Sequence, residues 1–133
     1  MVITALIALG QALIAQRRHD EAIPHLREAQ DTVERYPQIR YPWFKGEVQS
    51  TLGAALAAQR QPDEAEKLLL SGYEGLRDLP STPPPRVRAA LERLASFYAA
   101  NGQSEEAASW RSRLQANDSS RRAANATTAR RPG

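Results

Sequence analysis

The 133-residue chain has no cysteine. That excludes disulfide cross-links, a thiol nucleophile and thiolate metal ligands. Histidine is nearly as scarce: His19 and His25 stand six positions apart and are the only two. A same-face ligand pair on a helix needs a separation of three or four, and no carboxylate cluster completes a site around either one. No metal and no cofactor is therefore expected. Gly72-Tyr73-Glu74-Gly75 lacks the spacing of a phosphate-binding loop. The H-R-D and D-F-G signatures of protein kinases are missing as well. Glu64 with Glu66, and Glu105 with Glu106, do not converge on one reacting atom; negative charge near helix starts explains them. Nothing joins a nucleophile, a base and an orienting group, so no catalytic residue is predicted.

Long apolar runs are also wanting. The stretch from Val2 to Ala15 is interrupted at Gln11 and closed by Gln16 and Arg17. It is shorter than the roughly 20 residues of a membrane span. Its start, Met1-Val2-Ile3-Thr4, lacks the positive charge of a secretory leader. A buried helix, no membrane span and a cytoplasmic location are the expectations. The sequons Asn117-Asp118-Ser119 and Asn125-Ala126-Thr127 then read as chance. Charge of one sign is not in excess in the body of the chain: residues 1–116 hold 14 basic and 14 acidic side chains. The net +3 belongs to residues 117–133, where Arg121, Arg122, Arg130 and Arg131 face Asp118 alone. Four arginines without interleaved aromatics predict no specific nucleic-acid binding. The Ser, Asn, Ala, Thr, Arg and Pro of this stretch predict a disordered basic tail over 117–133.

What the chain does have is a recurring phrase. Leu9-Gly10, Leu13, Ala22 and Ala29 are followed by Leu52-Gly53, Leu56, Ala65 and Gly72, each 43 positions further on. A weaker third copy holds Leu94-Ala95, Tyr98, Gly102, Ala107 and Leu114, with Ala107 placed 42 positions after Ala65. A fixed period of this length is the mark of stacked helix pairs. The apolar spacing predicts helices over about 2–16, 20–35, 43–59, 63–78 and 87–100, and from 104 onward. Asp20 and Ser104 are candidate N-caps. Tyr36-Pro37 closes the second helix, and the prolines of 80–85 form a stiff extended linker.

These positions resemble the tetratricopeptide repeat. The family's pattern is Leu-Gly in the first helix, a larger apolar residue a turn later, Gly at the turn and Ala early and late in the second helix; Leu9, Gly10, Leu13, Ala22 and Ala29 match it in the first copy. Leu52, Gly53, Leu56 and Ala65 carry it in the second copy; Leu94, Tyr98, Gly102 and Ala107 carry it in the third. Departures are Gly72 and Leu114 for the late Ala, and Ala95 for Gly. The period is longer than the ordinary 34 or so, as in the extended repeats of kinesin light chains. The stretch from Ala90 to Leu114 resembles the closing repeat of bacterial serine/threonine protein kinases. The resemblance implies an all-α, right-handed solenoid of three antiparallel helix pairs, with repeats about 3–36, 43–79 and 86–116 in one domain of residues 1–116.

It also implies a non-catalytic scaffold for a protein or peptide partner. The concave face would come from the first helix of each pair: Thr4, Ile7, Gln11 and Ile14, then Glu47, Ser50, Ala54 and Ala57, then Glu92, Ser96 and Ala99. The Lys, Arg and Asn set with which some relatives clamp a peptide carboxylate is not at these positions. Val2, Ile3, Ile7 and Ile14 lie outside the Leu6–Leu9–Leu13 stripe, so the first helix is too apolar for an end cap. The expectations are the C-terminal end of a longer array, or self-association through the first helix. The alternative reading is the regulatory repeat region of a multidomain kinase.

Overall fold

Among residues 2–36 and 41–130, which the computed structural model describes, all regular structure is helical. The helices are α1 (Val2–Ala15), α2 (His19–Arg35), α3 (Phe44–Ala58), α4 (Pro62–Asp78), α5 (Pro84–Ala100) and α6 (Ser104–Arg130). They pair as α1 with α2, α3 with α4 and α5 with α6, and each pair stacks on the next through α2 on α3 and α4 on α5. This is the all-α repeat solenoid expected from the period.

One turn, used three times, sets the pairing. Arg17, Arg60 and Gly102 hold left-handed φ values of 61°, 60° and 73°. In each copy the residue after that position donates its amide back to the helix. The bonds are Arg18 N to the Leu13 carbonyl (2.8 Å), Gln61 N to Leu56 (3.1 Å) and Gln103 N to Tyr98 (2.9 Å). This is the Schellman closure, which satisfies carbonyls that the helix end leaves free. Gly102 is thus a turn residue and not a packing residue; it is exposed, and a Cβ on it would touch nothing within 4 Å.

Small residues set the distance between helices. A Cβ on Gly53 would lie 2.8 Å from Leu69 Cγ and 3.0 Å from Leu69 N. One on Gly72 would lie 2.7 Å from Ser50 N and 2.8 Å from the Gly46 carbonyl. Backbone meets backbone here, so α3 and α4 pack with little side-chain bulk between them. Leu26, Leu52, Leu56, Leu69, Leu76, Leu91 and Leu94 are fully buried along the stack. Leu13, Ala22, Ala29, Ala65, Tyr98 and Ala107 are buried with them, and so is Gly10.

Several expectations are corrected. Leu9 is 41% exposed, because no helix lies on its outer side among the described residues. Ile3 and Ile7 are buried instead, against Ala29, Val33, Phe44 and Val48. Ile14 packs on the main core, and the side chain of Val2 lies outside the described residues, as does Pro37. Asp20 is in the first turn of α2, not at its cap. The proline linker is shorter than expected. Pro84 and Pro85 are the first two residues of α5, where the missing amides need no partner and φ is already helical.

The last helix runs past Ala116 to Arg130. Arg88 on α5 receives it, pairing with Asp118 at 2.9 Å. Residues 122–126 are exposed, as a solvated tail requires, but their backbone is helical, which the alanines at 123, 124 and 126 favour. Residues 131–133 lie outside the described residues.

Candidate binding face

The first helices of the pairs, α1, α3 and α5, lie side by side: α3 touches both α1 and α5. Because each helix turns once in 3.6 residues, their residues at matching repeat positions share one face. Of the eleven side chains placed there by the repeat register, Thr4, Glu92, Ser96 and Ala99 are exposed, while Gln11, Ile14, Ala54 and Ala57 are half-buried. Ile7, Glu47 and Ser50 are buried, so these three do not line an open surface.

The two larger depressions of the face lie in the second and third pairs. One depression of about 360 Å³ is bordered by Ala54, Ala57, Glu92, Arg93, Ser96 and Phe97. A second, of about 670 Å³, is bordered by Glu92, Ser96, Ala99, Arg111, Leu114 and Gln115. Ser96 and Glu92 belong to both. Small side chains leave a shallow trough in which a backbone or a helix can approach the scaffold. Arg88 pairs with Glu92 across one turn of α5 and with Asp118 on α6, so its charge is balanced.

Between α1 and α5 the face closes over a polar knot that the sequence reading missed. The Glu47 carboxylate is fully buried. Its Oε1 accepts from Gln11 Nε2 on α1 (3.0 Å), from Thr51 Oγ1 one turn on (3.2 Å) and from Arg93 on α5 (3.5 Å). Arg93 also donates to Ser50 Oγ at 2.9 Å. Burial pulls the Arg93 guanidinium down from its usual range, and the neighbouring Glu47 carboxylate opposes that pull. The knot joins the first helices of all three pairs. Glu47 Oε2 has no hydrogen bond among the described residues; Arg86 Nε stands 3.8 Å away, too far to donate.

Arg86 reaches the knot because α5 begins at Pro84, placing it in the first turn. Its guanidinium lies 5.5 Å from the ring centroid of Trp43. Trp43 in turn packs edge-on to Phe44 at 4.8 Å, with Tyr41 against both. Phe44 is buried and Trp43 half-buried, so these aromatics fasten the start of α3 to the start of α5. A glutamate at a helical position among small residues reads as solvated surface in a sequence; only the arginines 39 and 46 positions downstream, brought back by the solenoid, reveal it as a buried hub.

Tyr98 donates to Glu66 Oε2 at 2.7 Å. Burial and that carboxylate push its phenol well above the ordinary range. It remains a neutral donor that ties α5 to α4. Among the described residues no group of three or more His, Asp or Glu could hold a metal ion, and no helix is long and apolar enough to cross a membrane.

Paired helices of fixed period, stacked through small residues and joined by one repeated turn, define a helical-repeat scaffold. The family model for the tetratricopeptide repeat matches residues 1–78, and the chain belongs to that family. The match spans the first two helix pairs. No curated protein and no solved structure matches the chain significantly. The tetratricopeptide repeat is a non-catalytic fold that generally mediates contact between proteins.

Proposed function

We propose that residues 1–116 act as a docking scaffold that receives a peptide or helix of a partner protein along the concave side, between α3 and α5. The supporting observation is the trough bordered by Ala54, Ala57 and Ser96, which continues past Ser96 to Ala99 and Leu114. Its floor offers small side chains over a rigid helix pair, so affinity comes from contact area and backbone approach and not from one charged clamp. Membership of a family of interaction modules supports the same reading.

The test places bulk in the trough. Ser96→Arg fills the point shared by both depressions without touching the core, since Ser96 is exposed. Ala108→Arg, on an exposed position of α6 outside both depressions, is the control. Both variants should melt with the parent. A partner held by the parent and by Ala108→Arg should be released by Ser96→Arg. Equal retention by both variants removes the trough from the binding face.

A further inference from the structure

Among the described residues one buried charge is incompletely satisfied. Glu47 Oε1 has three donors, whereas Oε2 has none. A buried charged oxygen without a donor is costly, so a native site of this kind normally holds a donor of its own or of a ligand. Glu47 also borders a cavity of about 100 Å³, lined with it by Thr4, Ile7, Ala8, Gln11, Trp43, Phe44 and Arg86. Liquid water takes about 30 Å³ per molecule, so the space exceeds one bridging water and suits the end of a side chain.

The lining states what that side chain is. Ile7, Ala8 and Phe44 offer an apolar wall for an aliphatic stem, and Glu47 borders the cavity together with Arg86, whose Nε stands 3.8 Å from the carboxylate. Trp43 presents a ring against which a cation already stands, namely Arg86. Arg86 itself is loosely seated. It is 3.8 Å from the carboxylate, 5.5 Å from the ring centroid, and its side chain is 40% exposed. Arg93 already forms the inner ion pair with Glu47 and is anchored by Ser50. Arg86 is therefore a surplus cation at the mouth. An incoming cation that displaces it leaves the local charge unchanged.

We infer that this cavity is a pocket for a lysine side chain of the partner, with Arg86 as its internal placeholder. The lysine stem lies along Ile7 and Phe44. Its ammonium donates to Glu47 Oε2 beside the Trp43 ring while Arg86 swings outward to solvent. An ammonium fits better than a guanidinium, because it is a compact point charge without a planar fork to accommodate. The inference deepens the docking reading and rests on it, since the pocket lies on the same side as the trough and selects which segment is seated.

The test follows the Trp43 indole N–H cross-peak by NMR in ¹⁵N-labelled full-length protein, with Trp110→Phe to assign it. The probes are acetylated, amidated Ala-Ala-Lys-Ala-Ala and its norleucine analogue. The lysine peptide should shift the Trp43 peak saturably, and the norleucine peptide should not. Arg86→Ala, at a largely solvated side chain, should keep the fold and tighten the lysine peptide at least about threefold. Glu47→Gln should abolish the shift; where that variant does not fold, the Arg86→Ala result decides. Equal binding of both peptides, no shift with either, or unchanged or weaker binding to Arg86→Ala overturns the pocket. Ser96→Arg addresses the trough with the natural partner and leaves these titrations untouched, so either reading can fail alone.

Discussion

Helices α1 and α3 occupy equivalent places in successive repeats, yet they live in different surroundings. Leu9 corresponds to Leu52, Ala5 to Val48 and Ala12 to Ala55. All three α3 residues are buried. All three α1 residues are exposed. The difference is not in side-chain chemistry, since leucine faces leucine. It lies in coverage: α3 has α2 on one side and α4 on the other, while among the described residues α1 meets α2 and α3 only. In a stacked solenoid the environment of a residue is set by its neighbours in the stack as much as by its own helix.

The largest test of that comparison is a matched truncation. Leu52→Ala removes a fully buried side chain from the centre of the stack and should cost about 3 kcal/mol of unfolding free energy. Leu9→Ala makes the same chemical change at a surface and should stay within about 0.5 kcal/mol. Urea unfolding of the two variants reads the contrast directly. A cost for Leu9→Ala approaching that of Leu52→Ala would mean that a covering surface, such as a second copy, is present in solution.

Much of this architecture was legible in the sequence, and the exceptions have physical causes. The period, the small residues and the three turns report local geometry, so six helices and their pairing followed from spacing alone. Leu9 was misplaced because a repeat pattern records what a position does in the interior of an array and is silent about its ends. Helix α5 starts three residues before the expected position, because a run of prolines reads as extended linker although the first turn of a helix accepts them. Glu47 reads as open surface in the sequence because its partners, Arg86 and Arg93, arrive from the next repeat. The trough residues Ala54, Ser96 and Ala99 were placed by register alone, and nothing in their chemistry marks them individually.

A second test sharpens the comparison through the packing glycines. An added Cβ on Gly10 would meet Leu26 side-chain atoms at 2.6, 2.7 and 3.2 Å, and nothing of the α2 backbone is among its three nearest neighbours. On Gly53 it would meet the Leu69 amide and the Ala65 carbonyl as well as the Leu69 side chain. Side chains can rotate, and α1 can shift outward because no helix lies behind it among the described residues. Backbone clamped between two helices cannot. Gly53→Ala should therefore lower stability by about 2 kcal/mol even after the helix-propensity gain. Gly10→Ala should cost about 1 kcal/mol or less. Thermal melts that rank the two in the opposite order would break the claim that coverage controls the tolerance of each helix.

The smallest effect tests what the two helices share. Both end in an arginine held at left-handed φ, Arg17 after α1 and Arg60 after α3. A side chain in that conformation costs about 1 kcal/mol or slightly more relative to glycine. Glycine also loses more freedom on folding, by about 0.4–1 kcal/mol. Arg17→Gly and Arg60→Gly should each leave a net gain of about 0.5 kcal/mol, and the two gains should be equal, because the turn geometry is the same and coverage does not reach it. The third copy supplies the reverse experiment: Gly102→Ala meets no atom within 4 Å, so its loss of stability, about 0.5 kcal/mol, is the same backbone strain less the same unfolded-state term, with no steric clash added. Unequal gains at positions 17 and 60 would show that the exposed end of the stack loosens even its turns, and would extend the contrast between α1 and α3 from side-chain packing to the backbone.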